Sequence, residues 1–170
     1  MVPVYSQVLS FSLPPGFKQG SSQVAGPSFI SEWVPENETV DKWTRMITLT
    51  GAQGFASHAN FSPKKLAEGR ASRYKQHCPD SFATSALFDG KISDHEAFIA
   101  VVLCGTVALP AGNTSESAVI AEIKGDKDYY SLQRAERETA TNAPMAIDVG
   151  SRLAKFKRLE PIRFCPVVPG

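Results

Sequence analysis

The sequence predicts an α+β fold, with one antiparallel sheet of about six or seven strands covered by helices in the manner of packed layers. Three observations predict it. Runs that alternate apolar and polar residues recur along the chain, which is the period of a half-buried strand. Short turn-rich links join these runs, and that suits antiparallel neighbours because a parallel pair needs a crossover of roughly a dozen residues. Two stretches, near 63–77 and 144–159, change instead to helical spacing.

The first strand is expected at 7–13 (QVLSFSL), where the alternation is broken by Pro14-Pro15-Gly16. Gly20-Ser21-Ser22 reads as part of a Gly/Ser link. Residues 28–34 read as a second strand ended by Pro35, and 36–42 as a polar turn. A third strand is expected at 43–50, where Thr48 and Thr50 supply the branched side chains that suit a pleated surface. Ser62-Pro63 is a clear helix start, because serine caps the first free N–H groups and proline at the first position needs no donor. The helix should run over 63–77 and stop before Pro79. Leu66, Ala67, Ala71, Tyr74 and Cys78 share one face, while Lys64, Lys65, Glu68, Arg73 and Lys75 lie elsewhere.

Strands are then expected at 82–88, 95–104, 118–124 and 129–137, with Asp89-Gly90 and Gly125-Asp126 as hairpin punctuation. Residues 98–103 carry no polar interruption, which predicts a strand covered on both faces. Residues 111–117 (AGNTSES) read as a long loop. The final helix is expected over 144–159, weakened at Gly150 by roughly 1 kcal/mol relative to alanine. Leu66, Tyr74, Leu153 and Phe156 should face the sheet.

At 170 residues the chain is expected to form a single domain over 1–170, with a Pro-rich tail at 160–170. Its 18 Lys+Arg against 17 Asp+Glu give a net charge of +1, so nucleic-acid binding is not expected. No apolar run is long enough for a transmembrane helix. Residues 1–5 show neither a basic nor an apolar signal region, so the chain reads as cytosolic or as a mature domain with a start methionine. Gly51-Ala52-Gln53-Gly54 lacks the spacing and the lysine of a phosphate-binding loop, and no cofactor is expected.

The cysteines bear on the compartment. Cys78 follows the first long helix and Cys104 ends an apolar strand, a placement that a disulfide often clips. Tyr74 and Cys78 share the helix face turned to the sheet, and Cys104 shares a strand face with Phe98, so the two thiols should meet. Buried free thiols are the plainer alternative, and Cys165 in the tail offers other pairings. A Cys78–Cys104 bond would place the protein in an oxidising compartment.

Taken together, the Leu-Pro-Pro-Gly turn, the tryptophan-bearing strand pair, the helix, the strand meander and the last helix resemble the PsbP-like α/β/α sandwich. More narrowly, Glu32-Trp33-Val34-Pro35, Cys78, Cys104, Ile123-Lys124-Gly125 and Tyr130 through Ala135 are similar to small exported proteins of Gram-negative bacteria. Those proteins also carry a cysteine after their last helix, which Cys165 would match. The resemblance implies the fold and a periplasmic address, and it brings no catalytic residue with it.

The chemistry-bearing residues are sparse. His77 and Cys78 are helix neighbours that point different ways, which does not make a nucleophilic pair. His77, Cys78, His95 and Cys104 have zinc-ligand chemistry without zinc-site spacing, and Glu122, Asp126 and Asp128 near a hairpin are far from a calcium loop. No metal site is expected. Arg152, Lys155, Lys157, Arg158 and Arg163 read as the solvated face of the last helix rather than an anion site. Trp33, Trp43, Tyr129 and Tyr130 are candidates for a partner-binding surface, since Trp and Tyr dominate binding hot spots, although such aromatics are more often core.

The leading expectation is therefore a non-enzymatic periplasmic or secreted protein that binds another protein, as an accessory or immunity-type factor. Two rivals stand beside it. One is a small hydrolase using His58 or His95 with Asp94 or Glu96. The other is a small-ligand or lipid carrier, which would show a pocket of roughly 300–1,000 Å³ between sheet and helix.

Overall fold

The computed structural model describes residues 2–167. In chain order the elements are β1 (Val2–Val4), β2 (Gln7–Ser10), β3 (Phe17–Ala25), β4 (Ser28–Pro35), β5 (Arg45–Ala52), α1 (Pro63–His77), β6 (Phe82–Ile92), β7 (His95–Leu109), β8 (Gly112–Lys124), β9 (Tyr129–Thr139), α2 (Val149–Lys157) and β10 (Arg163–Pro166). Seven strands form one sheet in the order β3-β4-β5-β9-β8-β7-β6, and every pairing within it is antiparallel. A smaller sheet, β1-β2-β10, shares no strand pairing with it but packs against it.

The large sheet is covered on both faces. On one face Ile47, Leu49, Ile99, Val101, Leu103, Ala121 and Leu132 form a core with Leu9, Phe156 and Leu159, which brings α2 and the small sheet together. On the other, Ala67 of α1 packs on Phe98 and Ala100, while Ala71 and Tyr74 lean on Val102, Ala118 and Ile120. The result is an α+β sandwich. As expected for a strand covered on both faces, residues 97–105 of β7 are all buried. Phe156 is 1% exposed, while Leu66, Tyr74 and Leu153 are half-buried.

α1 has the expected bounds, and the Ser62 hydroxyl accepts a hydrogen bond from the Lys65 N–H at 3.1 Å. Other expectations need correction. The strand expected at 7–13 is shorter and joins the small sheet rather than the large one. β3 occupies the segment read as a link: it is an edge strand with only Phe17 buried, so it carries no alternating pattern to detect. A bulge falls at Gly20, where a side chain would approach Val40 Cγ1 to 2.8 Å, so glycine is needed for close packing there. The loop expected at 111–117 belongs to β8, which pairs with β7 and β9 through Thr114.

The last helix spans only Val149–Lys157, because Asp148 is its cap and accepts the Ser151 N–H at 3.1 Å. The preceding chain instead folds back on β7, where Thr141 N–H donates to the Gly105 carbonyl at 2.8 Å. The Pro-rich tail contains β10, and Val168–Gly170 lie outside the described residues.

Glu136 on β9 ties α2 to the sheet through Lys155 Nζ at 3.1 Å, beside Arg134. Burial pushes its carboxyl up, but the hydrogen bonds and charges of Arg134 and Lys155 outweigh this and hold it below its ordinary value. A depressed carboxyl contributes stability that is present above its unfolded value and lost as pH falls through the folded one. Glu136→Gln is therefore expected to cost roughly 1–3 kcal/mol at neutral pH. The cost should shrink on acidification, and urea midpoints of both proteins against pH check it. A cost independent of pH would count against the charge argument.

Candidate functional site

α1 packs on β6, β7 and β8, so it covers only part of its face of the large sheet. Beside it, toward β5, β4 and β3, lies a cleft of about 590 Å³. Its floor is a cross-strand row. Gln23 pairs with Ile30, Ile30 with Thr50, Thr50 with Ser131, and Ser131 with Glu122, one residue from each of five adjacent strands. Next in the row comes Phe98, already beneath α1. Glu122 thus sits where the helix cover begins.

From the helix, Lys65, Leu66, Gly69, Arg70 and Arg73 face the cleft. Arg70 Nε donates to Glu122 Oε1, and a terminal nitrogen of Arg70 donates to Thr50 Oγ1 at 3.2 Å. The Glu122 side chain is 2% exposed and that of Arg70 31%, so the carboxylate carries the desolvation and the guanidinium opens toward water. Burial pushes the Glu122 carboxyl up, against the pull of Arg70, the Ser131 hydroxyl and the charge of Arg73.

The end wall is the segment after β5. Phe55, His58 and Phe61 form an aromatic trio with centroids 5.4–5.7 Å apart. Three bonds hold this wall against the β8–β9 turn and the start of β9, one of them from the Ala56 N–H to the Lys127 carbonyl at 3.1 Å. Gly54 N–H donates to Asp128 Oδ1 at 2.8 Å, and Tyr129 Oη donates to the Phe61 carbonyl at 3.2 Å. Asp128 also accepts the Ser6 hydroxyl at 2.7 Å, which ties in the N-terminal segment. The lining surface is mainly apolar and aromatic, and it also carries Lys65, Arg70, Arg73 and Glu122 with several hydroxyl and amide side chains, a mixture that suits a ligand site. A second groove of about 800 Å³ lies between β6 and α2. Its charged groups, Lys91, Lys157 and Glu160, are all exposed, so no buried polar group orients a ligand there.

The structure places the sequence candidates as follows. Cys78 and Cys104 form a disulfide with Cα atoms 5.7 Å apart, and Cys165 is free and exposed. Trp33, Tyr129 and Tyr130 are 7%, 3% and 1% exposed, so they fill the interior instead of forming a partner-binding surface. Tyr129 and Tyr130 do border the cleft. Trp43 is half-buried beneath Arg137, whose Cζ lies 3.8 Å from the ring centroid.

His58 is exposed within its aromatic trio. His95 meets neither Asp94 nor Glu96 in an ion pair; its Nδ1 lies 3.9 Å from Asp126, and its ring packs on Phe164. The bonded cysteines leave no zinc set with His77 and His95, and Glu122 and Asp128 are spent on Arg70 and on Ser6 and Gly54. Of the basic cluster, Arg152 donates to Ser117 and Lys155 pairs with Glu136, while Lys157, Arg158 and Arg163 are exposed. Sequence reasoning named a sheet–helix pocket only as what a ligand carrier would show, and it missed the residues that form one, Arg70, Thr50 and Ser131. One signal was present: Glu122 interrupts the otherwise apolar run 118–123.

Fold and site together define a layered α+β sandwich with a cleft beside one helix. The chain is similar to the solved structure of LpqN, which is described as involved in cell envelope biogenesis of Mycobacterium tuberculosis. That match has a TM-score of 0.51 at 11% identity, over 95% of this chain and 85% of that one. It is also similar to a point mutant of protein Mog1, with a TM-score of 0.46 at 16% identity over 86% of this chain and 78% of that one. No family model matches the chain, and no curated protein matches it. The likeness to LpqN shows a shared fold. The disulfide is consistent with a place outside the cytoplasm. Among the described residues no helix is long and apolar enough to cross a membrane.

Proposed function

We propose that this is an exported, non-catalytic binding protein, periplasmic or secreted, whose cleft beside α1 holds a small ligand with a largely apolar body. The cleft itself carries the reading: about 590 Å³ between sheet and helix, mainly apolar, with Arg70 and Glu122 fixed at its floor. That volume falls within the roughly 300–1,000 Å³ of small-molecule sites. The hydroxyl beside Glu122, that of Ser131, is 3% exposed and bonded to a carboxylate that Arg70 already holds, which favours holding a ligand over transforming it.

Gly69 supplies a direct test. It faces the cleft from mid-helix, and a side chain built there meets nothing within 4 Å. Gly69→Leu should fill the space, and it should stabilise the helix by about 0.5–1 kcal/mol because glycine is a poor helix residue. N-phenylnaphthylamine fluorescence is expected to saturate with the parent protein and to be lost in the variant, with melting unchanged or raised. A parent that binds no probe, or a variant that binds it equally, would sink the reading.

A protein partner is the second reading, favoured by the open edge of β3, which spans nine residues and leaves Val24 78% exposed. A partner strand could pair with such an edge through main-chain bonds. Cross-links from β3 to a periplasmic protein, unaffected by Gly69→Leu, would favour it over the cleft.

A further inference from the structure

Resting on the cleft reading above, we propose that the ligand is an anionic amphiphile: one alkyl chain with a carboxylate or phosphate head. Lys65 and Arg73 hold the head, and the chain lies against Ile30, Phe55 and Phe61.

The charge pattern carries the argument. Three cationic side chains, Lys65, Arg70 and Arg73, line the helix side of the cleft. They face one carboxylate, Glu122, and Arg70 is engaged with it. Lys65 and Arg73 are both exposed at the mouth, and neither makes an ion pair among the described residues. The one bond of Lys65 Nζ is to the Asn60 carbonyl at 3.5 Å, which leaves its charge uncompensated. Glu68 on the same helix does not line the cleft. The mouth therefore carries an excess of positive charge that a ligand anion would balance. Charge-assisted bonds to a carboxylate or phosphate are stronger than neutral ones, and the arginine fork suits either head.

Behind that mouth the wall is aromatic and aliphatic. A purely polar anion would leave Phe55, Phe61 and Ile30 unused, whereas an alkyl chain would cover them. A neutral amphiphile would leave the two cations unpaired.

Calorimetry on the full chain at low salt tests this with decanoate, decyl phosphate, decanol and inorganic phosphate. Both decyl anions are expected to bind at least about tenfold tighter than decanol, the scale of one charge-assisted hydrogen bond. Salt should weaken them selectively. Lys65→Gln combined with Arg73→Gln should remove the tenfold preference for anions over decanol; both residues are exposed, so folding should be intact. A preference for decyl phosphate over decanoate would identify a phosphate head, and the reverse a carboxylate. Equal affinity for anions and decanol would overturn the head assignment while leaving the cleft reading standing. Inorganic phosphate binding as tightly as decyl phosphate would overturn the chain assignment. No binding by any of the four would overturn both this inference and the cleft reading.

Discussion

Replacing Cys78 and Cys104 together by alanine is expected to lower stability by about 3.5 kcal/mol, the chain-entropy value for a loop of this length. The bond joins residues 26 apart in sequence and staples the end of α1 to β7. Without it the unfolded chain gains freedom, whereas the folded chain keeps its layers. For a chain of this size the loss corresponds to a melting temperature lower by about 10 °C. Cys78 is 4% and Cys104 0% exposed, so reductant should act slowly on the folded protein and fully on the unfolded one. Thiol titration of the unreduced, denatured protein should find one reactive group, that of Cys165. Three reactive thiols, or an unchanged melting temperature in the double variant, would remove both the staple and its argument for an oxidising compartment.

Arg70→Met is expected to destabilise by about 3 kcal/mol at neutral pH, the low end for breaking a buried ion pair. The low end applies because Arg70 keeps 31% exposure, so solvent already shares its charge. Most of the cost falls on Glu122, left buried without its cation. Burial already raises this carboxyl above its ordinary value, and losing Arg70 raises it further. A carboxyl raised on folding contributes fully below its unfolded value and loses that contribution as pH rises through the folded one. The cost of Arg70→Met should therefore be small near about pH 4, where carboxyls begin to protonate, and grow toward neutrality. Adding Glu122→Leu should restore stability to within about 1 kcal/mol of the parent, since an apolar pair can replace a buried ionic one. Urea midpoints at both pH values measure all three proteins. If the double variant stays as unstable as Arg70→Met, the pair is not the cause.

Sequence periodicity carried far where burial is one-sided or complete. α1 could be placed to the residue because Ser62-Pro63 at its start and Pro79 beyond its end act locally, independent of any partner. β7 was legible from its unbroken apolar run, since both its faces lie under other layers. The Cys78–Cys104 bond followed from two faces, one of helix and one of strand, being turned toward each other. β3 was illegible for the opposite reason: an exposed edge strand owes its shape to backbone pairing with β4, and its Gly/Ser-rich side chains record none of it.

The site divides in the same way. Glu122 was visible as a charge in an apolar strand, but its partner Arg70 lies 52 positions earlier on a helix where charged residues are ordinary. Only the register of five strands sets Gln23, Ile30, Thr50, Ser131 and Glu122 in one row, and only the packing of α1 over β6–β8 leaves part of that row uncovered. Composition, caps and apolar period therefore determined the layers, because those signals act within a few residues along the chain. The cleft and its charge balance were decided by tertiary structure, because a hollow is made by what neighbouring elements fail to cover.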